Sequence, residues 1–267
     1  MKTLIIIPAR YGSTRFPGKP LALLDGTSML SHVVGHARKA AKNRSNVDIL
    51  VATDDSRIID HCTELGIPSV MTPETCRTGT DRVLTAIQTL KTTPDFVINL
   101  QGDVPMLPAS VISHMLDVIE EEPEELEVFT PVHQLGWDAL DQMRHAKQET
   151  PFSGTTVTLT PDFKALWFSK NIIPAIRKEE KLRQTDELSP VWRHIGLYGY
   201  RTDILKKFAS LPESTYEKLE GLEQLRLLEN GISIKAVPVD IPSNTLLSGI
   251  DSPEDLARAE EILKKQR

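Results

Sequence analysis

Leu4 to Ile7 form an uninterrupted apolar run that breaks at Pro8 into a stretch carrying Arg10, Gly12, Ser13, Thr14, Arg15, Pro17, Gly18 and Lys19. The run is too apolar for a strand with one wet face and short enough for a buried parallel strand. Beyond the loop, Met29, Leu30, Val33, Val34, Ala37 and Ala41 recur at helical spacing, with Thr27 or Ser28 placed as a cap. The alternation continues with a strand at 47 to 54, a helix at 56 to 65, a short strand at 68 to 71 and a helix at 80 to 90. An apolar strand at 96 to 103 precedes an amphipathic helix from about 109 to 120. Strands separated by helices predict a mostly parallel sheet covered on both faces, with ligands at the strand C-termini. Pro8 to Lys19, Asp54 and Asp103 all emerge at that end.

After residue 121 the pattern changes. The acidic "EEPEELE" reads as a solvated turn or helix end, and a metal role for it is disfavoured because it lies away from the strand ends. Residues 126 to 133, 155 to 160, 165 to 169, 193 to 200 and 232 to 239 predict strands less regularly separated by helices. They suggest a mixed extension of the same sheet that carries a second substrate's pocket. The polar run "RKEEKLRQTDELSP" at 177 to 190 reads as a mobile loop.

Composition narrows the function classes. The 267 residues are 40% hydrophobic and 25% charged, as in an ordinary globular protein. The net charge of -6 argues against a general nucleic-acid binder and leaves room for a local basic pocket. Cys62 and Cys76 make no disulfide framework or metal-ligand pattern; both are expected reduced, and Cys76 buried and unreactive. No apolar stretch approaches membrane-spanning length, and the opening strand lacks a signal-peptide pattern, so the expected location is cytoplasmic.

The opening loop has the chemistry of an anion site. Gly12 and Gly18 permit tight turns, and Arg10, Arg15 and Lys19 can converge on phosphate oxygens, with Ser13 and Thr14 adding hydroxyls. The loop matches neither the P-loop nor the dinucleotide fingerprint. Asp103 ends an apolar strand, where a carboxylate is held firmly. Asp251 precedes a helical run, and either it or Ser252 can cap that helix; a metal role is the alternative. Asp54 and Asp55 are read as starting the helix at Ser56. His194 and Tyr198 are four apart in a predicted strand and should share a face with Tyr200. Glu223 and Gln224 lie in a predicted helix whose Leu219, Leu222, Leu225 and Leu228 face the core, with a solvated Gln224 as the plain reading.

"IIPARYGSTRFPGKPLA" resembles the opening signature of the sugar-activating cytidylyltransferases, and most closely the 3-deoxy-manno-octulosonate (Kdo) cytidylyltransferase family. "VATDD", "TGTDR", "NLQGDVPML", "RHIGLYGYR", "LEQLRLLENG" and "GIDSPEDL" extend the resemblance, in order, over nearly the whole chain. It implies an α/β fold of the three-layer nucleotide-diphospho-sugar transferase type, with a mostly parallel mixed central sheet. A single domain is expected, with a nucleotide-binding portion at about 1 to 122, a sugar-binding and dimerisation portion at about 123 to 248, and a metal-ligand and closing-helix portion at 249 to 267. The implied reaction couples CTP to the anomeric hydroxyl of Kdo and releases pyrophosphate, with Mg2+ as cofactor, in a homodimer with no nucleic-acid partner and no membrane insertion.

Carried residue by residue, the resemblance makes Asp103 and Asp251 the magnesium ligands and Arg10, Arg15 and Lys19 the triphosphate ligands, these five forming the catalytic set. It places Arg10, Tyr11, Gly12, Ser13, Lys19, Thr80, Arg82 and Gln101 on the nucleotide, and Lys170, His194, Tyr198, Glu223 and Gln224 on the sugar. The chain departs from the family where an asparagine-rich "NPNVVKVV" and a strand ending "YFSR" are usual. Here Gly154, Thr155 and Thr156 replace part of the first, and Lys170 replaces the arginine, losing its planar fork. The departure leaves 8-amino-Kdo or another keto-sugar acid open as acceptor. A nucleotidyltransferase for another base and a hexose phosphate, or a non-catalytic nucleotide sensor, are the competing classes.

Overall fold

Strand β1 (Thr3–Ala9) is buried on both faces: Ile5 and Ile7 enter one core and Leu4 and Ile6 the other, which is why it reads as a continuous apolar run. This computed structural model describes residues 1–13, 15–122, 124, 126–242, 245 and 249–265; Thr14 of the anion loop lies outside them. After the loop, a 3-10 turn at Lys19–Leu21 and a hairpin of β2 (Leu23–Leu24) and β3 (Thr27–Ser28) lead into α1 (Met29–Ala40), capped by Ser28. The alternating half continues through β4 (Val47–Thr53), α2 (Ser56–Glu64), β5 (Ser69–Met71), α3 (Gly79–Gln88), β6 (Phe96–Asn99) and α4 (Ala109–Glu121).

The second half comprises β7 (Val128–Gly136), α5 (Trp137–Glu149), β8 (Thr156–Leu159), β9 (Ala165–Ser169), α6 (Glu179–Thr185), β10 (Leu188–His194) and β11 (Tyr198–Arg201). It closes with α7 (Thr202–Ser210), α8 (Thr215–Glu220), α9 (Leu225–Glu229), β12 (Ile234–Pro238) and α10 (Pro253–Lys265).

One ten-stranded sheet runs through both halves in the order β5-β4-β1-β6-β11-β7-β10-β8-β9, with β12 paired to β7. Strands β1, β4, β5, β6, β7, β8 and β12 run one way and β9, β10 and β11 the other, so the sheet is mixed and mostly parallel, as expected. Helices α1, α2 and α4 cover one face, and α3, α7 and α9 the other. Helix α10 packs beside the β2–β3 hairpin through Ile250, Ala259 and Leu24. No helix among the described residues is long and apolar enough to cross a membrane.

Four local expectations change. The polar run at 177 to 190 is not a bare loop: it holds α6, because its charges pair with α5. Glu179 accepts from Arg144 and Arg183, Arg183 also reaches Asp141, and Leu182 joins a small core with Trp137 and Leu140. The strand predicted to 103 ends at Asn99, leaving Gln101 and Asp103 on the loop beyond it. The leucine-rich stretch is two short helices broken after Gly221, so Leu219 is exposed while Leu222 and Leu225 are buried. His194 and Tyr198 lie on separate strands, β10 and β11, joined by a turn at 195 to 197.

A tight contact locks β11 against β7 in the middle of the sheet. A Cβ on Gly199 of β11 would fall 1.9 Å from the Phe129 ring of β7, so only glycine leaves room for that buried aromatic. Gly199→Ala is therefore expected to destabilise the fold by about 1–3 kcal/mol, the usual cost of overpacking a core, read as a drop in the thermal or urea midpoint.

Candidate functional site

Tyr11 organises the anion loop. Its carbonyl accepts from the Ser13 and Gly18 amides, each at 2.9 Å, which turns the chain back on itself. Gly18 sits at φ +72°, the left-handed region, whereas Gly12 has neither a positive φ nor a close neighbour; of the two expected turn glycines, only Gly18 uses its conformational freedom. The Tyr11 amide donates to Asp54 at 3.3 Å, and the ring lies 3.3 Å from the Arg57 guanidinium carbon. Arg57 is held in turn by both carboxylate oxygens of Asp55, at 2.8 and 2.6 Å.

The two aspartates after β4 thus divide their work. Asp55 caps α2 as expected, accepting from the Arg57 amide. Asp54 does not; it pairs with Arg82 at 2.7 Å, and Arg82 also donates to Thr72 at 2.6 Å. Arg82 is 3% exposed. Its guanidinium lines the cavity wall but is spent on two protein partners, so it braces the loop beneath Tyr11.

In front of the loop lies a cavity of about 250 Å3 bordered by Arg10, Ser13, Lys19, Gln101, Asp103 and Asp251. Lys19 donates to Asp103 at 2.8 Å and to Asp251 at 3.1 Å, drawing together carboxylates from distant parts of the chain. Arg15 adds an exposed ion pair to Asp251 at 3.2 Å, which contributes little to stability. Asp251 is free for this because Ser252 is the cap: its hydroxyl accepts from the Asp255 amide, and Asp255 accepts from the Ser252 amide. The Ile250 amide donates to the Asp103 carbonyl at 2.8 Å, fixing the two carboxylate-bearing segments side by side. Cys76, expected to be buried, instead borders the cavity.

Thr80, expected on the nucleotide, is tied to Glu223. Its hydroxyl donates to Glu223 at 3.0 Å. From the cavity inward, Gln101 donates to Asn99 at 2.9 Å and Asn99 reaches Thr80 at 3.5 Å, so a polar file joins the cavity to Glu223. Burial raises the Glu223 carboxyl above its usual range, with the Thr80 hydrogen bond acting against it.

Beside Glu223 is a cluster of aromatic and amide groups. His194 and Tyr198, although on different strands, approach to 5.3 Å between ring centroids. Burial, and then the Lys170 charge, push His194 down to about 3, so the ring is neutral at physiological pH and its Nε2 meets the Thr130 hydroxyl at 3.0 Å. Tyr200 is stacked between Tyr198 and Phe208, a packing role. The Tyr198 hydroxyl and the Gln224 side-chain nitrogen are buried with no hydrogen-bond partner among the described residues, which contradicts a solvated Gln224. Lys170 and Arg193 are both pushed down by burial, and neither side chain has an ion pair among the described residues.

Sequence reasoning missed Asp54, Lys147 and the partnerless state of Arg193. Asp54 had a signal in its position at a strand end opposite "TGTDR"; Lys147 had none, because its partners are backbone carbonyls.

A cytidylyltransferase family profile matches residues 4–234. A 3-deoxy-manno-octulosonate cytidylyltransferase of Maricaulis maris is 43% identical over 263 residues, covering 98% of this chain and 97% of the relative. An 8-amino-3,8-dideoxy-manno-octulosonate cytidylyltransferase of a Shewanella strain is 38% identical, covering 98% of this chain and 99% of the relative. A solved CMP:2-keto-3-deoxy-manno-octonic acid synthetase complexed with CTP is 32% identical and superposes over 100% of both chains with a TM-score of 0.82.

The bracing pair gives a direct test. Asp54→Ala strands Arg82 in the interior, and breaking a buried pair in this way costs about 3–5 kcal/mol. Urea denaturation should show that loss, whereas Arg15→Ala, which removes the exposed pair, should fall within about 1 kcal/mol of the unaltered protein.

Proposed function

The chain belongs to the 3-deoxy-manno-octulosonate cytidylyltransferase family, and from that premise we propose that it transfers CMP from CTP to the anomeric hydroxyl of Kdo, releasing pyrophosphate and forming CMP-Kdo. The observation that carries the reading is the meeting of Lys19, Asp103 and Asp251 in a cavity walled by the anion loop. In the reaction the anomeric oxygen bonds to the α phosphorus. The bridge to the β phosphorus breaks with its electron pair on pyrophosphate, and the hydroxyl proton passes to solvent. No covalent protein nucleophile is needed.

Arg10, Arg15, Lys19 and the amides of the turned loop are suited to hold the triphosphate and to offset charge on the leaving pyrophosphate. Ser13 and Gln101 border the same cavity and can meet the nucleotide by hydrogen bonds. The donor set fits magnesium. Asp103 and Asp251 offer hard carboxylate oxygens to one point, which the Lys19 ammonium shares, and magnesium needs only one or two such ligands beside phosphate oxygens and water. Among the described residues no group of three or more ligating side chains gathers. When bound, magnesium supplies polarisation of the phosphate oxygens.

An acid acceptor suits the opposite side of the site. Lys170 and Arg193 are desolvated cations lacking ion-pair partners among the described residues, and an anion offsets that cost. Tyr198 and Gln224 supply unspent polar groups for hydroxyls, and neutral His194 can donate or accept one hydrogen bond without adding charge. Glu223 is the observation that favours a second acceptor: its carboxyl could face the ammonium of 8-amino-Kdo, although Lys170 opposes a further positive charge. The homodimer and cytoplasmic location implied by the family belong to the same proposal.

Pyrophosphate release, with mass detection of the product, tests the reading when each nucleoside triphosphate is crossed with Kdo, 8-amino-Kdo, a sialic acid and a hexose 1-phosphate. CMP-Kdo from CTP, at a higher kcat/KM than the amino sugar, is the expected result. CTP binding without turnover on any acceptor refutes it. Asp103→Asn is expected to lower kcat by on the order of 10²–10³ with an unchanged melting curve, since it removes one charged ligand from a preformed site.

A further inference from the structure

Lys147 of α5 directs its ammonium into a group of four backbone carbonyls. Lys170 lies at 2.6 Å, Gly154 at 3.1 Å and Pro151 at 3.3 Å, and Ser153 is the fourth. Carbonyl oxygens converging on one point in this way suit a small hard cation, and the ammonium, with three donors, fills the role. The carbonyls come from two separate segments, the turn after α5 and the end of β9, so the ammonium acts as a clamp between them.

Both clamped segments run directly into the acceptor side of the site. Gly154 leads into Thr155, whose carbonyl accepts from the His194 amide at 2.9 Å, and into Thr156, which pairs with both Arg193 and Ser169 in the sheet. The Thr156 hydroxyl further donates to the Asn171 carbonyl at 2.8 Å and accepts from the Ile173 amide at 3.0 Å. Lys170 itself is pinned at its amide by Glu220, at 2.8 Å. Strands β8, β9 and β10 are therefore held in register beside Lys170, Arg193 and His194. This is also the stretch in which the chain departs from its family, with Gly154 to Thr156 and Lys170 in place of the usual residues.

We propose that Lys147 is a positioning residue for the acceptor pocket, an internal cation that holds the Gly154–Thr156 and Lys170 segments in register and adds positive charge behind them. The proposal rests on the reading that Lys170 and His194 face the sugar acid. A merely structural clamp would be cheaper with a neutral donor, because this ammonium is half-buried beside two like charges. Burial lowers its proton affinity, and Lys170 and then Arg193 lower it further, with Glu220 acting in the other direction. A retained positive charge at such a place strengthens the attraction of the pocket for an anion.

The test is steady-state pyrophosphate release by the full chain, with CTP and Kdo each titrated at saturating levels of the other. Lys147→Met is expected to raise the KM for Kdo about tenfold or more, the equivalent of losing charged hydrogen bonds, and to leave the KM for CTP within about twofold. In Lys147→Ala, added methylammonium is expected to return the Kdo KM toward normal, where sodium at equal ionic strength does not. An unchanged Kdo KM in folded Lys147→Met, an equal rise in both KM values, or equal rescue by sodium overturns the proposal. If Lys147→Met does not fold, Lys147→Gln, which keeps two donors without charge, is read by the same criteria. Should the unaltered protein make no CMP-Kdo, the acceptor reading fails separately, and the clamp is judged by hydrogen exchange. Segments 151–156 and 169–171 should then exchange faster in Lys147→Met, and unchanged exchange overturns it.

Discussion

One ammonium reconciles the carboxylates on which the rest of the site depends. Asp103 and Asp251 come together from opposite ends of the fold, and two carboxylates sharing a site repel each other strongly unless a positive charge stands between them. Lys19 supplies it, within 3.1 Å of both. The sheet makes the meeting unavoidable: β1 and β6 are parallel neighbours, so the loops beyond them leave at one end and side by side. The chain then returns through β12 to bring Asp251 to the same place, where the Ile250 amide binds the Asp103 carbonyl. A phosphate-handling loop, a strand end and a closing helix thereby become one chemical unit, and the interaction that joins them is of the kind a divalent ion with phosphate can take over.

The five residues from Thr78 to Arg82 show how densely a short segment can be used at such a site. Thr78 and Asp81 close the capping box that starts α3. Between them, Gly79 borders the cavity, where a Cβ would meet the Gln101 side chain at 3.0 Å. Thr80 points to Glu223, and Arg82, within one helical turn of Gly79, reaches back to Asp54 under the anion loop. A rigid helical turn thus ties the loop around Tyr11 to the Glu223 carboxyl. Disturbance on either side is felt through it, since capping, packing and the buried ion pair all belong to the same few residues.

Much of this is legible in the chain because burial on both faces leaves an unmistakable mark. Strands β1, β4 and β6 and the helices between them all emerge from apolar runs and helical spacing, although β6 stops at Asn99 and leaves Asp103 on the loop beyond it. Expectation and structure part where tertiary partners decide the outcome. The run at 177 to 190 looks like loop because its helix is stabilised by Arg144 and Asp141 on another helix, and no local period reports that. The spacing of His194 and Tyr198 fits a single unbroken strand, but the irregular segment at 195 to 197 divides it into β10 and β11, both paired with β7, and the two rings approach to 5.3 Å. Arg82 borders the cavity and also pairs with Asp54 across 28 positions, a bracing contact that no local pattern reports.

The distribution of charge explains how a protein of net charge -6 can accept two anionic substrates. Long-range attraction cannot supply the binding, since at physiological ionic strength exposed charges are screened within about 8 Å. The site therefore relies on cations taken partly out of water, where each acts at short range and in a weaker dielectric. Lys19 satisfies its charge with Asp103 and Asp251, whereas Lys170 and Arg193 lack ion pairs among the described residues and bear a desolvation cost that only Glu220, near Lys170, offsets in part. That asymmetry fits an ordered division of labour. On the proposed assignment, the cavity at the loop sets Arg10, Arg15 and Lys19 against only two carboxylates, Asp103 and Asp251, while Lys170 and Arg193 have no ion pair among the described residues until an acid binds. If Lys170 and Arg193 face the acceptor as proposed, one without a carboxylate leaves that cost in place, and selection for a sugar acid then arises from desolvated charge as much as from shape.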